Sequence, residues 1–200
     1  QMEAVLQDLP VAAIKTGMIP SSACVEMVAE KLAEAGWRGR LVVDPVLSTS
    51  AGQPLMDRGT VEALKRHLLP LAGLVTPNIQ EARQLAGRDL ASWDLGRCLL
   101  DMGALAVLLT GGDGPDETVR DLLVTASERM EIRHRRLSSS STHGTGCTLS
   151  AAIAARLARG DTLTAAVPHA ADYVHQAIAR ARPLGRGSGP LHHFHRFWSA

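Results

Sequence analysis

The run Thr142-His143-Gly144-Thr145-Gly146-Cys147-Thr148 leads directly into Leu149-Ser150-Ala151-Ala152-Ile153, so a glycine-containing loop opens a helix. Two glycines let the backbone bend closely around a ligand, and the helix beyond starts with unpaired N–H groups and a partial positive charge. Phosphate is the natural guest of such a site. Cys147 falls in the first turn, where the helix end is expected to lower a thiol's pKa and make the thiolate more available. A reactive group beside a bound phosphate points to phosphoryl transfer. The same residues also suit a plain turn with Cys147 as a small buried core residue, and a lone G-T-G does not choose between the two.

Other polar groups follow short apolar runs. Asp44 comes after Leu41-Val42-Val43 and before Pro45, which suits either a turn-capping carboxylate or an oxygen ligand for hydrated Mg²⁺. Asn78 and Glu81 have the spacing of a capping box. A glutamate in a first helical turn beside a phosphate cleft also suits ordering the waters of Mg²⁺, and the two roles are compatible. Lys15 lies just past an apolar run within reach of a ligand, although a lone lysine is ordinarily a solvated surface group. His143 is placed to assist an anion or to fix the loop. His192, His193 and His195 form H-H-x-H with no cysteine near, which is not a common zinc pattern and favours a local structural role.

Such scattered groups need a scaffold that gathers them, and apolar runs alternating with amphipathic stretches indicate a parallel sheet with helices on its faces. Strands are expected at Val11–Ile14, Leu41–Val43, Leu74–Val75 and Ala106–Leu109. The polar or glycine-rich segments at Asp44-Pro45, Thr76-Pro77-Asn78 and Thr110-Gly111-Gly112 follow three of them. Ligand crevices in open parallel sheets lie at the carboxyl ends of strands, so Asp44, Asn78 and the Gly111-Gly112 loop are expected to face one cleft. Asp121–Val124 and Met130–Ile132 read as an antiparallel pair. Helical spacing places Val25, Val28, Ala29 and Leu32 on one face behind a Ser21 or Ser22 cap, with Gly36 ending the helix. Further helices carry Val61, Leu64 and Leu68, then Leu149, Ile153 and Leu157, and a last one runs from Leu163 to Ala181. Pro183 to Pro190 reads as an irregular tail.

The 200 residues, 46% hydrophobic, suffice for one substantial core in a single domain. A net charge of +1 and 3% aromatic content argue against nucleic-acid binding. The only dense basic cluster, Arg133-His134-Arg135-Arg136, suits a solvated strand end. Three widely spaced cysteines without a C-x-x-C pair fit free thiols in a reducing cytoplasm. No apolar run reaches membrane-spanning length, and the start carries no signal-peptide pattern.

The segments VAAIKTGM (11–18), LVVDPV (41–46), LVTPNIQE (74–81), THGTGCTLS (142–150) and GPLHHFH (189–195) together resemble the hydroxymethylpyrimidine/phosphomethylpyrimidine kinases of thiamine biosynthesis, in the family's order. THGTGC, with cysteine where many ribokinase-like enzymes carry aspartate, is specific to this branch and its pyridoxal-kinase relatives. The resemblance implies an α/β fold, ribokinase-like and three-layered, with a mostly parallel central sheet lacking the family's first strands. It implies ATP-dependent phosphorylation of 4-amino-5-hydroxymethyl-2-methylpyrimidine and its monophosphate. Gly144, Thr145, Gly146 and Cys147 would form the anion hole, with Cys147 as catalytic base. Asp44 and Glu81 would organise Mg²⁺; Asn78, Thr110 and Gly112 would face ATP; Met18 and Val46 would line the pyrimidine pocket. A cytoplasmic homodimer completes the expectation. The alternatives are a pyridoxal kinase or a non-catalytic pyrimidine- or phosphate-binding homologue.

Three departures accompany the resemblance. The family's first strand and glycine-rich substrate loop lie upstream of the segment matching Gln1, so either the sequence is a fragment or half the acceptor pocket is absent; if residues 1–200 stand alone, one side of the sheet is expected to lose its usual neighbours. Thr110-Gly111-Gly112-Asp113 stands where the family has Lys-Gly-Gly-His, and His169-Ala170-Ala171 where it has Glu-Ala-Lys. With both lysines gone, weak ATP affinity is expected.

Overall fold

A computed structural model describes residues 1–37, 40–49, 52–112 and 116–197; Asp113 lies outside them. In chain order the elements are α1 (Met2–Asp8), β1 (Ile14–Thr16), α2 (Ser22–Glu34), β2 (Leu41–Val43), α3 (Arg58–Ala63), β3 (Leu74–Val75), α4 (Ile79–Ala86), α5 (Ser92–Asp101), β4 (Ala106–Leu109), β5 (Thr118–Thr125), β6 (Arg129–Arg135), α6 (Thr145–Ala158) and α7 (Leu163–Ala179). The six strands form one sheet in the order β1-β2-β3-β4-β5-β6. The first four are parallel, and β5 and β6 turn antiparallel.

Side chains alternate across a strand, and here the alternation divides two cores. Leu41, Val43, Val75, Val107, Leu109, Leu122 and Val124 pack with α2 to α5 on one face. Val42, Leu74, Ala106, Leu108, Leu123 and Ile132 pack with α6 and α7 on the other. The result is a three-layer α/β/α arrangement, as the resemblance implies. Strands covered on both faces explain the uninterrupted apolar runs in β2 and β4.

Local signals act largely as read. Ser21 caps α2, its hydroxyl accepting from the Cys24 N–H at 3.3 Å, and Gly36 follows the helix at φ +68°. The helix carrying Val61, Leu64 and Leu68 is compound: α3 passes into a π turn at Leu64–Leu68 and a 3₁₀ turn at Leu69–Leu71. The first strand departs from expectation. It occupies Ile14–Thr16 rather than Val11–Ile14, because its partner β2 offers register to Ile14, Lys15 and Thr16. Lys15 is therefore a strand residue. The segment after Pro183 has no regular element, but it is tied down: the His143 N–H donates to the Gly189 carbonyl at 3.1 Å, and Gly189 donates to the Ser140 carbonyl at 2.9 Å. No helix among the described residues is long and apolar enough to cross a membrane.

Candidate active site

Parallel pairing continues past the strands and aligns their carboxyl ends. Asp44 donates its N–H to the Thr16 carbonyl, Thr76 to Val43 and Thr110 to Pro77, each at 3.0 Å, and Asn78 bridges to Thr110. Asp44, Asn78, Thr110 and Gly112 thus emerge along one edge of the sheet, as the apolar-run pattern predicted.

At the first of these ends sits a buried charge network. Asp44 is 5% exposed. Its Oδ2 lies 3.2 Å from Lys15 Nζ and accepts from Ser150 Oγ at 3.0 Å. Ser150 is fully buried on α6, and the same hydroxyl also lies 3.0 Å from the Gly146 carbonyl and 3.1 Å from that of Cys147. One hydroxyl proton shared among three acceptors pins the start of α6 over β2. The sequence placed Lys15 within reach of a ligand but favoured a solvated surface role for it, and gave Ser150 no site role. The available signal was scarcity: the chain has three lysines, and Lys31 and Lys65 pair with Glu34 and Glu62 one helical turn away.

The glycine loop has the shape of an anion cradle. Gly144 is the N-cap of α6 at φ +83°, a left-handed conformation suited to glycine. No side chain caps the helix, and its first helical N–H bond is from Thr148 to the Gly144 carbonyl at 2.9 Å. The N–H groups of Thr145, Gly146 and Cys147 thus remain at the helix mouth. Thr145 Oγ1 bonds back to the Thr142 carbonyl at 2.6 Å, fixing the turn. A Cβ added at Gly144, Gly146 or Gly112 would meet nothing within 4 Å, so the space above all three is open.

The thiol behaves contrary to expectation. Cys147 lies in the first turn, but its pKa is raised, not lowered. Desolvation is the largest cause, the Asp44 carboxylate adds to it, and the Lys15 ammonium opposes them. Desolvation, with the carboxylate second, outweighs the helix end here.

Glu81 has a double attachment. Its Oε2 accepts from the Asn78 N–H and its Oε1 from the Leu47 N–H, each at 3.0 Å, while Asn78 Oδ1 accepts from the Glu81 N–H at 2.8 Å. The capping box is therefore formed, and it also anchors the turn after Asp44. In that turn Val46 takes φ +34°, the only non-glycine positive φ among the described residues. Met18 stands 53% exposed in the loop after β1.

The described residues contain no group of three or more His, Cys, Asp and Glu side chains arranged around a metal. Mg²⁺ is ordinarily held by one or two carboxylates completed by phosphate and water rather than by an all-protein cage. The glycine-rich loop after β4 is held from behind: Asp121 Oδ1 accepts from the Gly111 N–H at 2.9 Å, and Arg136 Nη1 donates to the Gly112 carbonyl at 2.6 Å. A cavity of about 370 Å³ lies between Leu137–Ser140, which follow the end of β6, and the end of α7. It includes none of the expected site residues. His195 is buried, its Nδ1 3.0 Å from the His192 carbonyl and its ring against Tyr173, in keeping with a structural role.

Comparison with known proteins places this geometry. The family model for phosphomethylpyrimidine kinase matches residues 1–192. A hydroxymethylpyrimidine/phosphomethylpyrimidine kinase of Rhizobium meliloti is 42% identical over 99% of this chain and 76% of its own length. A thiamine biosynthesis bifunctional protein of Geobacter sulfurreducens is 43% identical over 96% of this chain, which spans only 40% of that longer protein. Among solved structures, a Staphylococcus aureus pyridoxal kinase in complex with ADP superposes with a TM-score of 0.88 at 32% identity, covering 98% of this chain and 73% of that one. A phosphomethylpyrimidine kinase of Clostridium difficile gives 0.74 at 34% identity over 88% of this chain and 73% of its own. With a cysteine-bearing anion loop docked on a buried strand-end aspartate and a family match along almost its whole length, the chain belongs to the phosphomethylpyrimidine kinase family.

Proposed function

We propose that residues 1–200 act as one kinase domain that transfers the γ-phosphoryl group of ATP to the hydroxymethyl oxygen of 4-amino-5-hydroxymethyl-2-methylpyrimidine, and then phosphorylates the monophosphate. The observation that carries this reading is the Ser150–Asp44 hydrogen bond, which joins the anion loop's helix to the carboxylate at the head of the cleft. Three N–H groups at the α6 start receive the transferring phosphoryl group, where its charge is greatest. Cys147, acting through the minor thiolate fraction that its raised pKa leaves, takes the alcohol proton as the new O–P bond forms and the bond to the ADP oxygen breaks. Asp44 and Glu81 hold Mg²⁺, which neutralises phosphate charge when bound. Asn78, Thr110 and Gly112 face the nucleotide. Exposed Met18 and half-buried Val46 give apolar contact to a flat ring, a task suited in Met18 to a polarisable thioether.

The family resemblance adds a homodimer and a cytoplasmic setting, and the three cysteines are free thiols. A pyridoxal kinase is the second reading, favoured by the close backbone match to enzymes of that name. Release of ADP measured with the pyrimidine alcohol, its monophosphate and pyridoxal tests both. Turnover of the first two supports the proposal, turnover of pyridoxal alone replaces it, and binding without turnover of any acceptor overturns the kinase reading.

A further inference from the structure

The geometry points to Glu81 as a positioning residue that clamps Val46 in a strained, left-handed conformation and thereby shapes the acceptor side of the cleft. The inference rests on the proposed acceptor role of Val46. A β-branched residue at positive φ is a true outlier, and such strain persists only where surrounding contacts over-determine it. Those contacts are present on both sides. Before Val46, Asp44 is held through its backbone N–H to Thr16 and through its carboxylate to Lys15 and Ser150. After it, the Leu47 N–H is held by Glu81 Oε1 at 3.0 Å, and the Leu47 side chain is fully buried.

Glu81 is itself held at both oxygens. It is 7% exposed, and its other oxygen accepts from the Asn78 N–H at the head of α4. One carboxylate therefore ties the turn after β2 to the helix start after β3. A glutamate serving only as a helix cap needs no bond to Leu47, and one serving only a metal needs no bond to either amide. Loss of the Leu47 bond would leave a buried N–H unpaired and let Val46 relax to negative φ.

The test compares glycine with alanine at Val46. Both remove the same branched methyls, but only glycine tolerates positive φ without strain. In the otherwise unchanged chain, Val46→Gly is expected to show a higher urea midpoint than Val46→Ala. In a Glu81→Ala background the order is expected to collapse or reverse, as alanine is favoured once φ turns negative. Alanine equal to or better than glycine in the unchanged chain, or a gap unaffected by Glu81→Ala, overturns the clamp. Should Glu81→Ala fail to fold, Glu81→Gln replaces it, with one acceptor oxygen for two amides and a partial collapse expected.

Calorimetric titration with the hydroxymethylpyrimidine, without metal or nucleotide, supplies the functional half. Glu81→Gln is expected to weaken binding about tenfold, the effect of one lost charge-assisted hydrogen bond. Unchanged affinity overturns the positioning role. No pyrimidine binding by the unchanged chain overturns the proposed function instead, and the glycine-alanine comparison still decides the clamp.

Discussion

Cys147 is set between two opposing charges brought to it from other strand ends, Asp44 raising its pKa and Lys15 lowering it. In the metal-free protein, alkylation of Cys147 followed by peptide mass against pH should give an apparent pKa above the usual thiol value of about 8.5. Asp44→Asn should bring it down and Lys15→Met should raise it further; the reverse order would remove Asp44 as the dominant neighbour. The same thiol separates the two reactions. An alcohol must lose its proton, whereas a phosphomonoester is already anionic near neutral pH. Cys147→Ser should therefore lower alcohol phosphorylation by about 100-fold or more, the usual scale of general base catalysis, and monophosphate phosphorylation by less than about tenfold. Steady-state rates with both acceptors check this, and equal losses would exclude Cys147 as the base.

At the scale of elements, close packing rather than propensity decides several details. Gly96 in the middle of α5 lets that helix lie against β5, since a Cβ there would come within 2.7 Å of Val124 Cγ2. Gly96→Ala should cost about 1–3 kcal/mol by overpacking, read from urea unfolding. Adding Val124→Ala should recover part of that loss, and simple additivity would show that the contact is not the cause. Strands buried on both faces were legible as apolar runs, and two helix caps were legible, one as Ser21 or Ser22 and one as Asn78 with Glu81; the Asp57 cap of α3 was not. The bounds of β1 were not. Val11-Ala12-Ala13 has the better apolar pattern, but pairing with Leu41–Val43 selects Ile14–Thr16 and turns Lys15 from a loop residue into a strand residue facing Asp44.

For the whole molecule, the sheet carries a buried carboxylate behind the glycine loop after β4 whose titration bears on stability. Asp121 on β5 is 6% exposed, and burial raises its pKa despite the Gly111 N–H and nearby His134. An acid with a raised folded pKa favours the folded state below its unfolded value, about 3.9, and loses that contribution as pH rises through the folded value. Asp121→Asn keeps an oxygen for the Gly111 N–H and removes the charge. It should be more stable than the unchanged chain at pH 7, with the difference closing as pH falls toward about 4. Urea midpoints across that range check it, and a variant less stable at pH 7 would mean that the charge itself supports the β4–β5 connection.

What the sequence determined by itself was local or periodic: the two-faced strands, the helix caps, the polar residues at strand ends and the glycine loop that must bend. These follow from side-chain volume, backbone freedom and spacing along the chain. Only the tertiary structure decided what those groups do to one another. Ser150 and Asp44 are 106 residues apart in sequence yet share a hydrogen bond, and the pKa direction of Cys147 reversed because desolvation and that carboxylate outweigh the helix end. Long-range electrostatics depends on distances through space, which parallel crossovers set and residue spacing does not encode.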